Sequence, residues 1–310
     1  MKRAEILTSV IIPTYNGSRK IALMLPSIQS QINDSREIII VDDGSIDGSP
    51  DDIAILIACI PNIKLLRQPN GGRSVARNAG TKHVKGKFIV FIDDDIIVPP
   101  RFLDRIEMNL RTSPDAWITG SVIQDVIKVP HYDFLKFRSR LDYVPKDLSA
   151  TYNEIIEQQS FTTQQLGVRL TIFESLGGFD ERLTDSEDFE LSVRVKSVGQ
   201  VILHDLKNTA RHADYTNFHG FITRQIEYRR SKEALAKLHL NHLENLAVDV
   251  KKERSALNFL VRRVFVYNSF WRYILHAKVR LIVPERIRFK IFDLVLSSTV
   301  IFFRERGLFF

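Results

Sequence analysis

Cysteine is almost absent from this chain, which has only one among its 310 residues. A single thiol excludes an internal disulfide and any zinc site built from several cysteines. The residue, Cys59, lies in an apolar stretch. We therefore expect it to be a buried and unreactive thiol.

Two glycine-rich nucleotide-binding signatures are also missing. No Gly-x-Gly-x-x-Gly follows the first predicted strand, and no Gly-Lys-Ser or Gly-Lys-Thr phosphate loop occurs anywhere. The glycines of those motifs let the backbone approach phosphate groups closely. Their absence argues against a dinucleotide-dependent dehydrogenase and against a P-loop enzyme.

Long apolar runs are lacking as well. No segment reaches the roughly 20 apolar residues that a membrane-spanning helix needs. The longest candidate, residues 291–303, contains Asp293 and is followed by Arg304. The first residues also lack the pattern of a signal peptide. We therefore expect a cytoplasmic protein.

The net charge of +7 is concentrated at one end of the chain. Residues 251–310 hold 13 of the 44 Lys and Arg residues but only 4 of the 37 Asp and Glu residues, and they are rich in Phe, Trp and Tyr. This pattern is typical of an amphipathic segment on an anionic membrane surface. We expect a helical region that is peripheral on the cytoplasmic face of the membrane. A basic helix packed on the rest of the chain and a nucleic-acid-binding arm are the alternatives, and we expect no nucleic-acid partner.

The first 95 residues alternate between apolar strand patterns and helical patterns. Strands are predicted at residues 7–12, 37–41, 63–66 and 88–92, with helices at 18–31, at 51–60 and after the glycines at 71–72. This alternation predicts a doubly wound, mostly parallel α/β sheet flanked by helices. Ligands bind beyond the carboxyl ends of the strands in such sheets. Residues that follow different strands should therefore share one rim: Tyr15, Asp43, Arg77, Asp93, Asp94 and Asp95.

The rest of the chain is less regular. A helix is predicted at 99–111, a strand at 116–123, two short strands at 200–203 and 208–212, and a long helix at 218–246. Residues 130–160 are polar and irregular, which is typical of a lid or specificity loop.

Three adjacent acids, Asp93, Asp94 and Asp95, follow the apolar strand at 88–92. Clustered carboxylates repel one another and are costly to desolvate, so they need a cation. Hard oxygen ligands suit Mg²⁺ or Mn²⁺, which proteins usually share with substrate phosphates. Taken alone, the cluster could equally be an acidic turn after a strand.

A second acidic pair, Glu187 and Asp188, begins a short helical pattern that contains Leu191 and Val195. The dipole at a helix N-terminus favours a negative charge, so we expect Asp188 to be ionised. An acidic helix start without a chemical role is the alternative interpretation.

Six motifs in this order resemble the family-2 glycosyltransferases, which have the GT-A fold. The resemblance extends from Ser9 to about His212. The motifs are Ser9-Val10-Ile11-Ile12-Pro13-Thr14-Tyr15-Asn16, Val41-Asp42-Asp43-Gly44-Ser45, Asn70-Gly71-Gly72 with Ala76-Arg77-Asn78-Ala79-Gly80, the acids at 93–95, Gly177-Gly178-Phe179-Asp180-Glu181, and Glu187-Asp188.

The resemblance implies a role for each matching residue. Asp188 would be the general base of an inverting reaction, with Glu187 beside it. The metal, Mn²⁺ or Mg²⁺, would be held by Asp95, Asp93 and His212. The acceptor would contact Gly177, Gly178, Phe179 and Asp180. The donor nucleotide would contact Pro13, Thr14, Tyr15, Asp43, Arg77, Asp93 and Asp94, and Arg73 is added to this group by its position alone.

These roles predict an inverting, metal-dependent enzyme that moves a sugar from a nucleotide-diphosphate sugar to a glycan or lipid-linked acceptor, in cell-surface polysaccharide synthesis. We expect a GT-A domain at 1–250, with a nucleotide-binding half at 1–97, an acceptor and catalytic half at 98–215 and a helical segment at 216–250. The basic aromatic region at 251–310 would follow. A catalytically inactive nucleotide-sugar-binding subunit and a sugar-phosphate nucleotidyltransferase are the alternatives, and a homo-oligomer remains open.

Overall fold

The structure, a computed structural model, describes residues 5–124, 132–138, 155–183, 185–213, 218–238 and 282–306. The chain divides into two compact units. The first comprises Met1–Asp125 and Asp142–Asp214, and the second comprises Val126–Leu141 and Tyr215–Phe310. Every site residue predicted above belongs to the first unit. The boundary predicted near residue 250 lies outside the described residues.

One mixed sheet forms the centre of the first unit. In chain order its strands are β1 (Thr8–Thr14), β2 (Arg36–Asp42), β3 (Ile63–Arg67), β4 (Phe88–Ile92), β5 (Ile96–Ile97), β6 (Ala116–Gln124), β7 (Ile155–Gln158), β8 (Gln165–Arg169) and β9 (Val201–His212). Their order across the sheet is β3-β2-β1-β4-β8-β6-β9-β5, with β7 also paired to β9.

Helices cover both faces of this sheet. They are α1 (Ser18–Gln29), α2 (Ser49–Ile57), α3 (Arg73–Thr81), α4 (Phe102–Thr112), α6 (Leu170–Ser175) and α7 (Glu187–Ser197). Apolar side chains of α1, α2 and α4 pack in one core layer with the sheet, and those of α3, α6 and α7 pack in a second layer. The predicted α/β fold, a sheet flanked by helices, is confirmed.

Parallel pairing joins β3, β2, β1 and β4, as the alternating pattern predicted. The side chains of β2 and β4 are buried along their whole length, which agrees with a strand covered on both faces. Beyond β4 the pairing is no longer purely parallel, because β8 runs antiparallel to both β4 and β6. The carboxyl ends of β1, β2 and β4 therefore lie together at one edge.

Two local predictions were wrong. The predicted pair of short strands at 200–203 and 208–212 is a single strand, β9, in which the polar residue Asp205 is buried because Arg105 and Asn109 donate hydrogen bonds to it. Cys59 is exposed rather than buried. It follows α2, which turns Ile53 and Ile57 towards the core and leaves the opposite face in solvent.

The long segment at 130–160 contains more regular structure than its composition indicated. Residues 132–138 form helix α5 (Tyr132–Arg138), and residues 155–158 form β7, which pairs antiparallel with β9. The remaining residues of the segment that precede β7 lie outside the described part of the chain.

The second unit contains α5, α8 (Phe218–Leu238) and α9 (Glu285–Arg306). These helices share an aromatic core in which the ring centroid of Phe134 lies 5.2 Å from that of Phe218 and 5.7 Å from that of Phe292. Residues 285–306 of the predicted helical extension are thus helical. Among the described helices, none has the length and apolar character needed to cross a membrane.

Candidate active site

A cleft of about 390 Å³ opens at the carboxyl ends of β1, β2 and β4. The topology predicted this place, because the loops after these strands converge on one edge. The side chains that line the cleft include all eight residues predicted for the donor nucleotide. The lining residues are Pro13, Thr14, Tyr15, Lys20, Asp43, Asn70, Gly72, Arg73, Ala76, Arg77, Asp93, Asp94 and Asp95.

Asp43 organises the glycine loop on one side of the cleft. Its carboxylate accepts hydrogen bonds from the backbone N–H groups of Gly71 (2.9 Å) and Gly72 (2.8 Å) and from the side chain of Gln68 (2.7 Å). The carboxylate thereby fixes the loop from which α3 starts. Its contact with the donor nucleotide stays a prediction.

Tyr15 lies at the mouth of the cleft with 47% of its surface exposed. An aromatic face in that position is available for stacking on a planar ligand. Nearby, Asn16 fixes the loop after β1 to the loop after β2, because its backbone N–H donates to Ser45 Oγ (2.8 Å) and its side chain accepts from the Ile46 N–H (3.0 Å).

The start of α1 approaches the acidic cluster very closely. A Cβ at Gly17 would lie within 2.5 Å of Asp94 Oδ2 and closer still to Thr14 Oγ1, so a larger residue there would displace these side chains. Thr14 Oγ1 donates a hydrogen bond of 2.7 Å to the same Asp94 oxygen. The positive end of the α1 dipole therefore faces the carboxylates.

The three clustered acids have different partners. Asp93 accepts a hydrogen bond of 2.7 Å from Arg77 Nη2. Burial works against its ionisation, but the charges of Arg77 and Arg73 outweigh burial and lower the pKa of Asp93. We therefore expect Asp93 to be negatively charged at neutral pH.

Asp94 and Asp95 share a cation of the protein. Lys20 Nζ lies 3.6 Å from Asp94 Oδ1 and 3.3 Å from Asp95 Oδ2. Burial raises the pKa of Asp94 to about 6, with the charge of Lys20 opposing this effect and the charge of Asp95 adding to it. Lys20 therefore does not fully offset the cost of burying the Asp94 charge.

The donor set around Asp95 fits a divalent cation. Asp95 Oδ1 is buried without a hydrogen-bond partner, and His212 Nε2 lies 3.6 Å away. The pairing of β5 with β9 brings these residues together, since Ile96 lies opposite His212. No group of three or more His, Cys, Asp or Glu side chains forms a complete metal cage in the described parts of the chain. Two protein ligands leave positions for phosphate oxygens and water, as Mg²⁺ and Mn²⁺ sites commonly do.

Arg77 borders the cleft, but its side chain is almost completely buried. Only 2% of its side chain is exposed, and its guanidinium donates to Asp93 (2.7 Å) and to Glu187 Oε1 (2.5 Å). The mutual contact of Arg77 and Glu187 connects the acidic cluster to the first residue of α7. The contact of Arg77 with the donor nucleotide and the place of Glu187 beside the general base stay predictions.

Asp188 is the next residue of α7, and its Oδ1 accepts a hydrogen bond of 2.7 Å from the Phe189 N–H. We expected the helix dipole to keep it ionised. Burial has the larger effect, and together with the charge of Glu187 it raises the pKa of Asp188 to about 6. A carboxylate with a pKa near this value can accept a proton at neutral pH.

The segment predicted to contact the acceptor is anchored to α3. Asn78 Nδ2 donates to the Phe179 carbonyl (2.9 Å), and its side-chain oxygen accepts from the Phe179 N–H (3.0 Å). The Phe179 ring is buried, with its centroid 5.1 Å from that of Phe91, so it supports the core rather than an open surface. Gly177 is exposed with φ +79°. Gly178 is buried with φ +74°.

Asp180, the last predicted acceptor contact, faces Arg182. The guanidinium of Arg182 donates to both carboxylate oxygens, at 2.9 Å to Oδ1 and 2.6 Å to Oδ2. The hydrogen bond from Arg182 lowers the pKa of Asp180 to about 2.

Sequence reasoning missed Lys20 and Asn70, which line the cleft, and the anchoring role of Asn78. Lys20 stands at the start of an ordinary helical pattern, and no feature of the sequence distinguishes it from its basic neighbour Arg19. Asn70 and Asn78 lie within the motifs quoted above, but the sequence alone does not show which atoms they contact.

Comparison with known protein families identifies the family of the chain that forms this cleft. The sequence model described as glycosyl transferase family 2 matches residues 9–166, which is about half of the chain and includes the whole cleft lining. The chain belongs to glycosyl transferase family 2. This is the family that the six motifs predicted.

Individual relatives agree with this family. EpsH of Bacillus subtilis, named as a glycosyltransferase, is 42% identical over 108 residues, which cover 34% of this chain and 30% of EpsH. The match thus spans less than a third of that relative. Among solved structures, the mannosyltransferase PcManGT of Pyrobaculum calidifontis, in complex with GDP-Man and Mn²⁺, has a TM-score of 0.57 at 16% identity and covers 99% of this chain and 77% of its own.

TarS of S. aureus, residues 1–349 in complex with UDP-GlcNAc, has a TM-score of 0.54 at 16% identity and covers 98% of this chain and 93% of its own. At these identities the likeness to both solved proteins shows the fold. The chain therefore has the GT-A fold, as predicted.

Proposed function

We propose that this family-2 glycosyltransferase is an inverting, metal-dependent enzyme that transfers a sugar from a nucleotide-diphosphate sugar to a glycan or lipid-linked acceptor. The observation that carries this proposal is the chain of contacts from Asp93 through Arg77 to Glu187. These contacts fix the acidic cluster, which needs a cation, relative to Asp188, whose pKa is raised by burial. A binding subunit without catalysis has no need for both.

The donor would lie in the cleft with its nucleoside near Tyr15 and the Asp43-supported glycine loop. Its diphosphate would lie near Asp95 and His212, which would hold Mn²⁺ or Mg²⁺. The metal, when bound, supplies positive charge that stabilises the departing diphosphate. Arg73, exposed at the start of α3, adds a second cation on the cleft wall.

Asp188 would act as the general base that takes the proton from the acceptor hydroxyl as the new glycosidic bond forms. Inversion requires that the acceptor attack from the side opposite the leaving diphosphate, so one base on that side suffices. The buried setting that raises the pKa of Asp188 also makes it a stronger base than an exposed aspartate.

The acceptor class and cellular setting extend this proposal. Solvent-exposed basic residues, among them Arg286 and Lys290, lie on α9, and residues 251–310 as a whole are basic and aromatic. Such a surface favours an anionic membrane. A peripheral position on the cytoplasmic face would bring the enzyme to lipid-linked acceptors of cell-surface polysaccharide synthesis.

A thermal-shift screen of nucleotide-diphosphate sugars tests this proposal. A ligand that binds only the native state raises the melting temperature. We expect at least one donor to stabilise the protein with Mn²⁺ or Mg²⁺ present, to lose this effect in EDTA, and to be turned over to a nucleoside diphosphate. Stabilisation by sugar phosphates and nucleoside triphosphates instead would favour a nucleotidyltransferase and contradict the proposal.

A further inference from the structure

Lys20 is placed where a divalent cation would also have to bind. It is the third residue of α1, and its Nζ lies 3.3 Å from Asp95 Oδ2 and 3.6 Å from Asp94 Oδ1. The close approach of Gly17 to Asp94 fixes the start of α1 against the acids, which directs this side chain at them.

Two of the three clustered acids lack the counter-charge that the third one has. Asp93 is neutralised by Arg77, which leaves two adjacent carboxylates with only 13% and 12% of their side-chain surface exposed. Adjacent carboxylates repel one another strongly when water is largely excluded. Lys20 places a cation within 4 Å of both.

The contact is also suited to being broken. Both distances exceed those of a short charge-assisted hydrogen bond, and 42% of the Lys20 side chain is exposed. A lysine carries a compact charge on a flexible stem, unlike the fixed fork of Arg77. It can therefore leave the acids without unfolding the site.

We propose that Lys20 is the resident counter-cation of the Asp94 and Asp95 pair, and that it exchanges with the divalent metal and then contacts the donor diphosphate. This inference rests on the proposed metal-dependent function. A metal ion on Asp95 would lie a few ångströms from the ammonium group, and two cations at that distance repel. The diphosphate, which arrives with the metal, offers the displaced ammonium a new anionic partner within the same cleft.

Binding of Mn²⁺ to the full-length protein without nucleotide tests the exchange. Lys20→Met keeps the apolar stem and removes the charge, and Arg19→Met is the matched control, since Arg19 is the exposed basic neighbour. We expect Lys20→Met to bind Mn²⁺ about fivefold or more tightly than wild type, because a repelling charge has gone. Arg19→Met should match wild type, and Lys20→Arg, which keeps the charge, should bind no more tightly than wild type.

A second titration uses inorganic pyrophosphate at saturating Mn²⁺, where Lys20→Met should bind more weakly than Arg19→Met. Equal Mn²⁺ affinity in wild type and Lys20→Met would contradict the exchange alone and leave the proposed function intact. A wild-type protein that binds no divalent metal would contradict both. Unchanged pyrophosphate binding in Lys20→Met would contradict the contact with the diphosphate.

Discussion

Burial raises the pKa of Asp188, although the N-terminus of α7 favours the charged form of its carboxylate. The Phe189 N–H and the charge of Arg77 favour the carboxylate, but burial and the neighbouring Glu187 outweigh them. The carboxylate can therefore exchange a proton near pH 6, close to the pH at which many enzymes work. An exposed aspartate is almost fully ionised at that pH.

We predict that kcat/KM for sugar transfer rises with pH through a midpoint of about 6. The base must be deprotonated to accept the acceptor's proton, so activity should fall about tenfold for each pH unit below the midpoint. A pH–rate profile measured with the donor found by the screen checks this. A flat profile between pH 5 and 7 would contradict the assigned base.

Arg77 gives a second prediction at the residue scale. Arg77→Met leaves Asp93 and Glu187 without their shared cation in a buried setting, and losing one partner of a buried ion pair costs about 3–5 kcal/mol. Urea unfolding should detect this loss of stability.

Arg73→Met is the matched control, because Arg73 lies one turn earlier on α3 and is exposed. It should change the free energy of unfolding by less than about 1 kcal/mol while weakening donor binding. Equal destabilisation by the two substitutions would show that Arg77 is not the connecting residue.

At the scale of elements, the site depends on how the loop after β2 packs against the loop before α3. Gly44 has φ +77°, and a Cβ there would lie 2.6 Å from the backbone nitrogen of Asn70. Gly48 has a similar φ of +85°, but a Cβ there meets nothing within 4 Å. A larger residue would therefore be strained at both positions, but it would meet a steric clash only at Gly44.

We predict that Gly44→Ala destabilises the protein by at least about 1 kcal/mol more than Gly48→Ala, because only the former adds a steric clash to the strain. Gly44→Ala should also weaken nucleotide binding, since it displaces the loop that Asp43 holds. Thermal unfolding and nucleotide titration of both variants check this. Indistinguishable variants would refute the packing argument.

Some strands and loops could be predicted from the sequence, and others could not. The strands before Asp43 and Asp93 were predictable because short runs rich in Ile, Val and Phe favour a buried strand. The parallel arrangement then set the edge where the loops meet. The single strand β9 was not predictable, because Asp205 resembles a loop residue until its partners Arg105 and Asn109 are known. The contacts of Lys20 and Arg77 depend on side-chain geometry between distant segments, which no local pattern encodes.

At the scale of the whole molecule, the chain combines a GT-A unit with a separate helical unit of basic and aromatic character. We predict that the full-length protein co-sediments with vesicles containing anionic lipids and is released by salt, because the attraction is electrostatic. Replacing Arg286 and Lys290 on α9 by Gln should weaken this binding.

The matched control replaces Lys82 and Arg111, two exposed basic residues of the GT-A unit, by Gln. This variant loses the same charge and should bind vesicles as wild type does. Equal loss in both variants would indicate a general charge effect, and binding to neutral vesicles or to nucleic acid alone would contradict the membrane proposal.

The most direct test of the whole proposal is to separate donor binding from sugar transfer in Asp188→Asn. We predict that this variant binds the nucleotide-sugar and Mn²⁺ with the wild-type dissociation constant, because the cleft lining is unchanged, while kcat for transfer falls about 10²–10⁴-fold, the usual contribution of a general base. Wild-type turnover in Asp188→Asn would contradict the proposed mechanism.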